Sequence, residues 1–189
     1  APGAITAIMG ASLLVRVSMI PDLTHFTPGG IVLRVSAVKV VIAFLMLVFA
    51  LFDLHPRFQS MAFDTRYIPV GGALSGFFGG LSGHQGALRS AFLAKTGLSR
   101  EAFIGTNVAC AVLIDVFRMI VYGISFYSRD MAVLSQHGGL SLVLTATAAA
   151  FLGSFLGTRL IKKVTMRSIQ RLIGGTLILL ALALGSGLV

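Results

Sequence analysis

The chain has 189 residues, of which 56% are hydrophobic and 11% charged, and its mean hydropathy is +0.94. A soluble domain carries charge on about a quarter of its residues, so this composition excludes a water-soluble globule and fits a surface that faces lipid. The net charge of +9 comes from bases set mostly between apolar runs, as membrane topology requires, and not from a basic, aromatic-rich face of the kind that binds nucleic acid.

The length gives one domain. At roughly 20 residues per span there is room for about five or six crossings. The first apolar region, 3–20, carries Arg16 and is either the tail of a span or a helix at the interface. Pro21 and a loop through Gly29 and Gly30 end it. A cleaner span follows at 31–54, with Arg34 and Lys39 near its start, where long basic side chains reach the headgroups. The loop 55–66 is polar and holds Pro56, Arg57, Asp64 and Arg66. The next region, 67–98, is apolar but interrupted by GGLSGHQG at 79–86.

Ser99-Arg100-Glu101 predicts an N-cap followed by a first-turn acid. The helix it opens is expected to run to about 127. A loop at 128–139, with Arg129, Asp130 and His137, precedes a span at 140–160 rich in Ala, Thr and Gly. A basic loop, 159–171, holds Arg159, Lys162, Lys163, Arg167 and Arg171, and the last span covers 169–189. The expected fold is therefore all-α, a polytopic transmembrane helix bundle with one broken, discontinuous helix, in a single domain over 1–189.

The basic loop contains no acid, which places it in the cytoplasm and the chain in the inner membrane. If 67–98 crosses once, 55–66 lies outside and 21–36 inside. Arg16, Arg34, Lys39, Lys95 and Arg100 then join the basic loop inside, and Arg57, Arg66 and Arg129 lie outside. A re-entrant hairpin at 67–98 would reverse everything upstream, and the charge balance argues against it. Small residues four apart, Gly72, Gly76 and Gly80, and again Gly153 and Gly157, read as close helix packing in lipid.

The break carries whatever chemistry the chain has. Glycine weakens a helix interior by about 1 kcal/mol relative to alanine, and unwound backbone at membrane depth is tolerated only where protein or a water-filled cavity surrounds it. Transporters use such breaks to aim half-helix N-termini at anions. A second half-helix starting near Gly86 would present free N–H groups at Gly86, Ala87 and Leu88, with Arg89 adding a full charge one turn on. The candidate substrate-binding residues are Ser82, Gly83, His84, Gln85, Gly86 and Arg89, joined by Thr106 and Asn107 of IGTN in the next helix. The bland alternative is a flexible kink with a structural His84. Asp115 and Arg118, three apart and on one face, read as an internal ion pair that steadies the helix or as a coupling element. The lone cysteine, Cys110, reads as a small core residue, and no metal-ligand spacing accompanies it, so neither metal nor cofactor is expected.

These segments resemble the TauE/SafE family of membrane transporters, also called the sulfonate uptake permease family. The likeness lies in the glycine-rich GGALSGFFGGLSGHQG, the short ALRSAFLAKTG, the IGTN opening of the next helix, and a C-terminal pair of helices joined by a basic loop from 153 on. It covers 68–189 well and 1–67 loosely. The resemblance implies two homologous halves moving small sulfur-containing or organic anions, often with protons. His84 and Gln85 replace part of the usual glycine run, and only one broken-helix motif is present. Residues 1–54 would then end the first half and 68–189 form the second, with either an N-terminal segment missing or a homodimer supplying its counterpart.

The expected function is secondary transport of a small anion such as sulfite or a sulfonate, with protons as the coupling ion and no catalytic residues. A channel or non-transporting scaffold is the alternative. An intramembrane hydrolase using Ser82 with His84 or His137 is a further one, opposed by the short Ser82–His84 spacing and the absence of a second motif.

Overall fold

Each predicted span contains a helix in the computed structural model, which describes residues 2–26, 33–59, 61–136, 139–160 and 166–188, but the span expected at 31–54 is helical only from Ala37, Leu33–Val35 being a strand. Gly29, Gly30, His137, Lys162 and Lys163 lie outside the described residues. The helices are α1 (Pro2–Ser18), α2 (Ala37–Leu54), α3 (Pro56–Gln59), α4 (Ile68–Ser82), α5 (Gly86–Leu93), α6 (Arg100–Gln136), α7 (Gly139–Leu160) and α8 (Met166–Gly185). Among these, α2, α6 and α7 contain stretches long and apolar enough to cross a membrane. The all-α architecture holds, with one small addition. Between α1 and α2 a two-stranded antiparallel ribbon pairs β1 (Thr24–Phe26) with β2 (Leu33–Val35).

Local signals account for most boundaries. Ser36 caps α2 by accepting from the Lys39 amide, and Ser99 caps α6 by accepting from the Ala102 amide at 3.2 Å. The expected end of this helix near 127 is wrong, since it continues to Gln136. Residues 128–136 mix polar and apolar side chains and contain no glycine or proline, so nothing in their backbone breaks the helix.

The core is built on two seams of small residues. Along the first, α1 and α4 run parallel, with Gly3 beside Gly76, Ala7 beside Gly80 and Gly10 beside Phe77. A Cβ at Gly76 or Gly80 would overlap the backbone carbonyl oxygen of Gly3 or Ala7, so the two backbones touch directly. Along the second, α2 and α8 run antiparallel: Leu54 covers Gly174 at one end, and Ala43 meets Ala181 and Gly185 toward the other. Leu14, Leu45, Phe49 and Leu81 join α1, α2 and α4 between the seams. The packing expected for Gly153 and Gly157 is not found within the described chain, since a Cβ at either would meet nothing within 4 Å.

The segment 67–98 does not cross once; it enters and returns. Helix α4 has 15 residues, about 22 Å at 1.5 Å per residue, short of the roughly 30 Å hydrocarbon core. Gly83 ends it with φ of 80°, a left-handed conformation that glycine adopts without Cβ strain. Helix α5 then folds back antiparallel, so that the Phe92 ring lies on Gly71 and the Phe63 amide donates to the Ala91 carbonyl at 3.1 Å. Helix α6 runs alongside α4 in the same direction, with Ile114 beside Gly79 and Arg118 beside Gly83. The N-termini of α1, α4, α6 and α8 and the C-termini of α2 and α5 therefore share one end of the bundle. This is the re-entrant arrangement, and it reverses the placement of 1–66 relative to the single-crossing expectation. Charge counting over loops did not detect it, because the return depends on a positive φ at Gly83 and on the space that Gly71 leaves for Phe92.

Candidate functional site

The last carbonyls of α4 find donors at the hairpin tip. An α-helix leaves its last carbonyls without intrahelical donors, and in lipid each must find one. The Phe78 carbonyl accepts from Ser82 Oγ at 3.2 Å, and the Gly79 carbonyl from the Gly83 amide at 2.9 Å. Tyr122 Oη, from α6, donates to the carbonyls of Gly80 and Leu81 at 3.0 and 3.3 Å. The Arg118 guanidinium packs against Gly83, at the negative end of the α4 dipole. It also pairs with Asp115 at 3.1 Å, and Asp115 is half-exposed. The Asp115–Arg118 pair thus braces the tip.

Ser82 and His84 are occupied with the turn itself. The Ser82 hydroxyl accepts from the His84 amide at 3.4 Å, and His84 Nδ1 lies 3.0 Å from the Ser82 carbonyl oxygen. That nitrogen faces an acceptor, so it carries the proton. It does not address the Ser82 hydroxyl, as a general base would. The His84 ring stacks on Phe49 of α2, with centroids 6.4 Å apart. Gly86 is exposed at the start of α5, with nothing near its absent Cβ.

Gln85 and Arg89 turn the other way, into the protein. Gln85 is 5% exposed, and its Oε1 accepts from Ser75 Oγ at 3.3 Å, in the space that Gly79 leaves open. One turn on, Arg89 is 9% exposed. Its Nε donates to Asn107 Oδ1 at 2.9 Å, and Asn107 Nδ2 donates to the Phe103 carbonyl. Arg89 NH1 is buried and has no hydrogen-bond partner. A buried charged donor without an acceptor is costly, so this nitrogen is suited to bind one.

Arg89 stands in the wall of a cavity of about 340 Å³ lined by α1, α4, α5 and α6. The rest of the lining is apolar or small: Pro2, Ile68, Pro69, Phe92, Leu113 and Ile114, with Ser75 and Cys110 the other residues bearing a side-chain heteroatom. The cavity lies at the end of the hairpin remote from the tip. On the opposite side of α5 is a second cavity of about 590 Å³, lined by Asp53, Ser90 and a ring of phenylalanines, Phe52, Phe58, Phe63 and Phe103 among them. Asp53 sits one turn beyond Phe49 on α2. Helix α5 is thus a partition, with a cation on one side and an acid on the other.

Of the expected site residues, the structure brings together Gln85, Arg89 and Asn107. Ser82, Gly83 and His84 form the tip, Gly86 faces outward, and Thr106 is half-buried on α6 without lining the Arg89 cavity. Ser75, Phe92, Cys110, Tyr122 and Asp53 were not singled out as site residues by sequence reasoning. A signal existed for two of them. Cys110 lies three residues after Asn107, and Tyr122 four after Arg118, each on the same helix face as a residue already singled out. Among the described residues, no group of His, Cys, Asp and Glu could hold a metal ion.

No curated protein and no solved structure matches this chain. The family model for the sulfite exporter TauE/SafE matches residues 1–184, taking in α1 and α2 as well as the hairpin and the C-terminal helices. The chain is an integral membrane protein and belongs to the TauE/SafE family of membrane transporters.

Proposed function

We propose that this protein is a secondary transporter of a small organic or sulfur-containing anion, with Arg89 as the group that meets the negative charge. The observation that carries this is the buried, unpartnered NH1 of Arg89 in the wall of an apolar cavity. Asn107 fixes the guanidinium through Nε, which leaves the outer nitrogens to meet an oxyanion. Substrate would be held between the hairpin and α1, and alternating access would move the hairpin against its neighbours.

We place the chain in the inner membrane with the loop 159–171 in the cytoplasm, on its five bases and absence of acids. The end bearing Arg57, Arg66, Lys95 and Arg100 is then cytoplasmic too, and the Arg89 cavity lies toward it. Protons are the coupling ion in this reading, and its support is that His84 stacks on Phe49, one turn before Asp53 on the same helix, since acid and histidine chains within membranes are the usual proton relays. The test is anion uptake by the purified protein in proteoliposomes. Uptake should saturate and be lost in Arg89→Ala. Uptake that Arg89→Ala leaves untouched would overturn the reading.

A further inference from the structure

We propose that Cys110 is a covalent modification site. Its thiol, in the wall of the Arg89 cavity, exchanges with anionic thiosulfonates, compounds in which a divalent sulfur is bonded to a sulfonyl group, and the mixed disulfide closes the cavity. The closure rests on the transport reading above; the thiol chemistry does not.

Placement comes first. Cys110 is the one cysteine of the chain, and it is free. Helix α6 turns Val108, Val112 and Val116 outward, while Asn107, Cys110 and Ile114 share its less exposed face. Ile114 lies beside Gly79 of α4, and Asn107 accepts from Arg89 Nε at 2.9 Å. Cys110 stands between the two, one turn from each, and lines the cavity together with Arg89, Ser75 and Phe92.

A cysteine buried in apolar surroundings is inert. This one shares its wall with a cation that has bonding capacity to spare. Arg89 is 9% exposed and anchored through Nε, and its NH1 has no hydrogen-bond partner. A buried charged donor favours an anion that can accept from it, and charge of one sign in a low-dielectric cleft concentrates ligands of the other. An anionic thiosulfonate is drawn to the thiol, and a cationic one is repelled. A cavity of about 340 Å³ is within the range that holds small organic ligands, so a short sulfonate arm has room there.

The step balances without a further oxidant. The thiolate is the nucleophile, and the thiol proton goes to water. Sγ of Cys110 attacks the divalent sulfur, and an S–S bond forms. The bond from that sulfur to the sulfonyl group breaks, and its electron pair leaves with a sulfinate. Cysteine is oxidised to a disulfide as the thiosulfonate is reduced to sulfinate. The arm left on Cys110 carries its own oxyanion to the guanidinium, where a substrate anion would otherwise sit. A small thiol reverses the step by attacking the mixed disulfide.

The experiment follows the intact mass of the purified chain in a non-ionic detergent with three methanethiosulfonates, whose transferred arms are 2-sulfonatoethyl, methyl and 2-trimethylammonioethyl. Each rate is divided by that of the same reagent with a small free thiol. The anionic arm should then react fastest, by about tenfold or more over the cationic arm. Arg89→Lys should keep this order, and Arg89→Gln should lose it. The comparison among reagents on the unaltered chain depends on neither variant folding. Protein carrying the sulfonatoethyl arm, reconstituted in proteoliposomes, should have lost uptake of labelled methanesulfonate, and dithiothreitol should restore it. Whatever uptake Cys110→Ser retains should not respond to the reagent. The absence of a charge preference, or a preference that Arg89→Gln leaves intact, would overturn the site. Complete labelling with uptake unchanged would overturn the closure. Unmodified protein that takes up no labelled methanesulfonate would count against the transport reading and leave the thiol site standing.

Discussion

The ring of Phe92 on α5 lies directly over Gly71 on α4, close enough that a Cβ at Gly71 would overlap it. This contact closes the base of the hairpin as Gly83 closes its tip, and it brings both ends of the segment 67–98 to one end of the bundle. It also puts Phe92 in the cavity wall beside Arg89. Hairpin geometry and cavity shape therefore depend on the same pair.

The hairpin makes a topological prediction. In a Cys110→Ser background, single cysteines at Arg57, Lys95 and Lys162 should all react with a membrane-impermeant thiol reagent from one side. A cysteine at Arg34 should react from the other. A single crossing by 67–98 would instead separate position 57 from positions 95 and 162, so labelling of 57 from the opposite side would refute the return.

How much of this was legible in the sequence differs by element. The spans were, in their cores, because an apolar run such as that within 31–54 reads as a helix in lipid, although its first residues, 33–35, form a strand. The break was, because GGLSGHQG is unsuited to a continuous helix. Arg89 and Asn107 were, because a charge and an amide inside apolar helices need partners, and here they partner each other at 2.9 Å. The direction of α5 was not. A glycine-rich interruption permits a kink or a reversal, and the choice lies in one dihedral angle and one aromatic contact. Asp53 was also missed: it stands at the end of a span, where an acid reads as a polar loop residue until α5 folds back beside it.

The α1–α4 seam predicts a sharp contrast among glycines. Gly80→Ala puts a methyl group onto the Ala7 carbonyl oxygen, backbone against backbone, where no side chain can give way. Overpacking of this kind costs about 1–3 kcal/mol, and Gly76→Ala should behave alike. Gly153→Ala meets nothing within 4 Å and should be neutral or slightly stabilising. Thermal unfolding of the three variants in detergent checks this, with a clear fall in midpoint for the first two alone.

Arg89 predicts a graded series. Arg89→Ala removes the charge and leaves Asn107 Oδ1 without its donor, so uptake should fall by tenfold to a hundredfold, as expected for loss of about 1.5–3 kcal/mol from a charged hydrogen bond. Arg89→Lys keeps a charge but cannot both hold Asn107 and present a second nitrogen to substrate. Its KM should rise while its maximal rate is largely kept. Asn107→Ala frees the guanidinium from its anchor and should also raise KM, without abolishing uptake. Concentration-dependent initial rates in proteoliposomes separate these outcomes.

The last prediction concerns Asp53 and His84. The tip of the hairpin presents His84 to α2, where its ring stacks on Phe49, one turn before Asp53. Among the described residues Arg118 of α6 also lies against the tip, paired with Asp115 and seated on Gly83. Protonation of Asp53 or His84 would change the attraction between α2 and the hairpin tip while leaving Arg89 across α5 in place. If protons drive transport through this contact, Asp53→Asn and His84→Gln should each lose uptake driven by an imposed pH gradient. Both should keep exchange of labelled for unlabelled anion at uniform pH, because that reaction needs the Arg89 cavity and no net proton movement. Gradient-driven uptake that survives in both variants would remove the proton from this contact. Loss of exchange together with uptake would make the pair a structural brace of the hairpin.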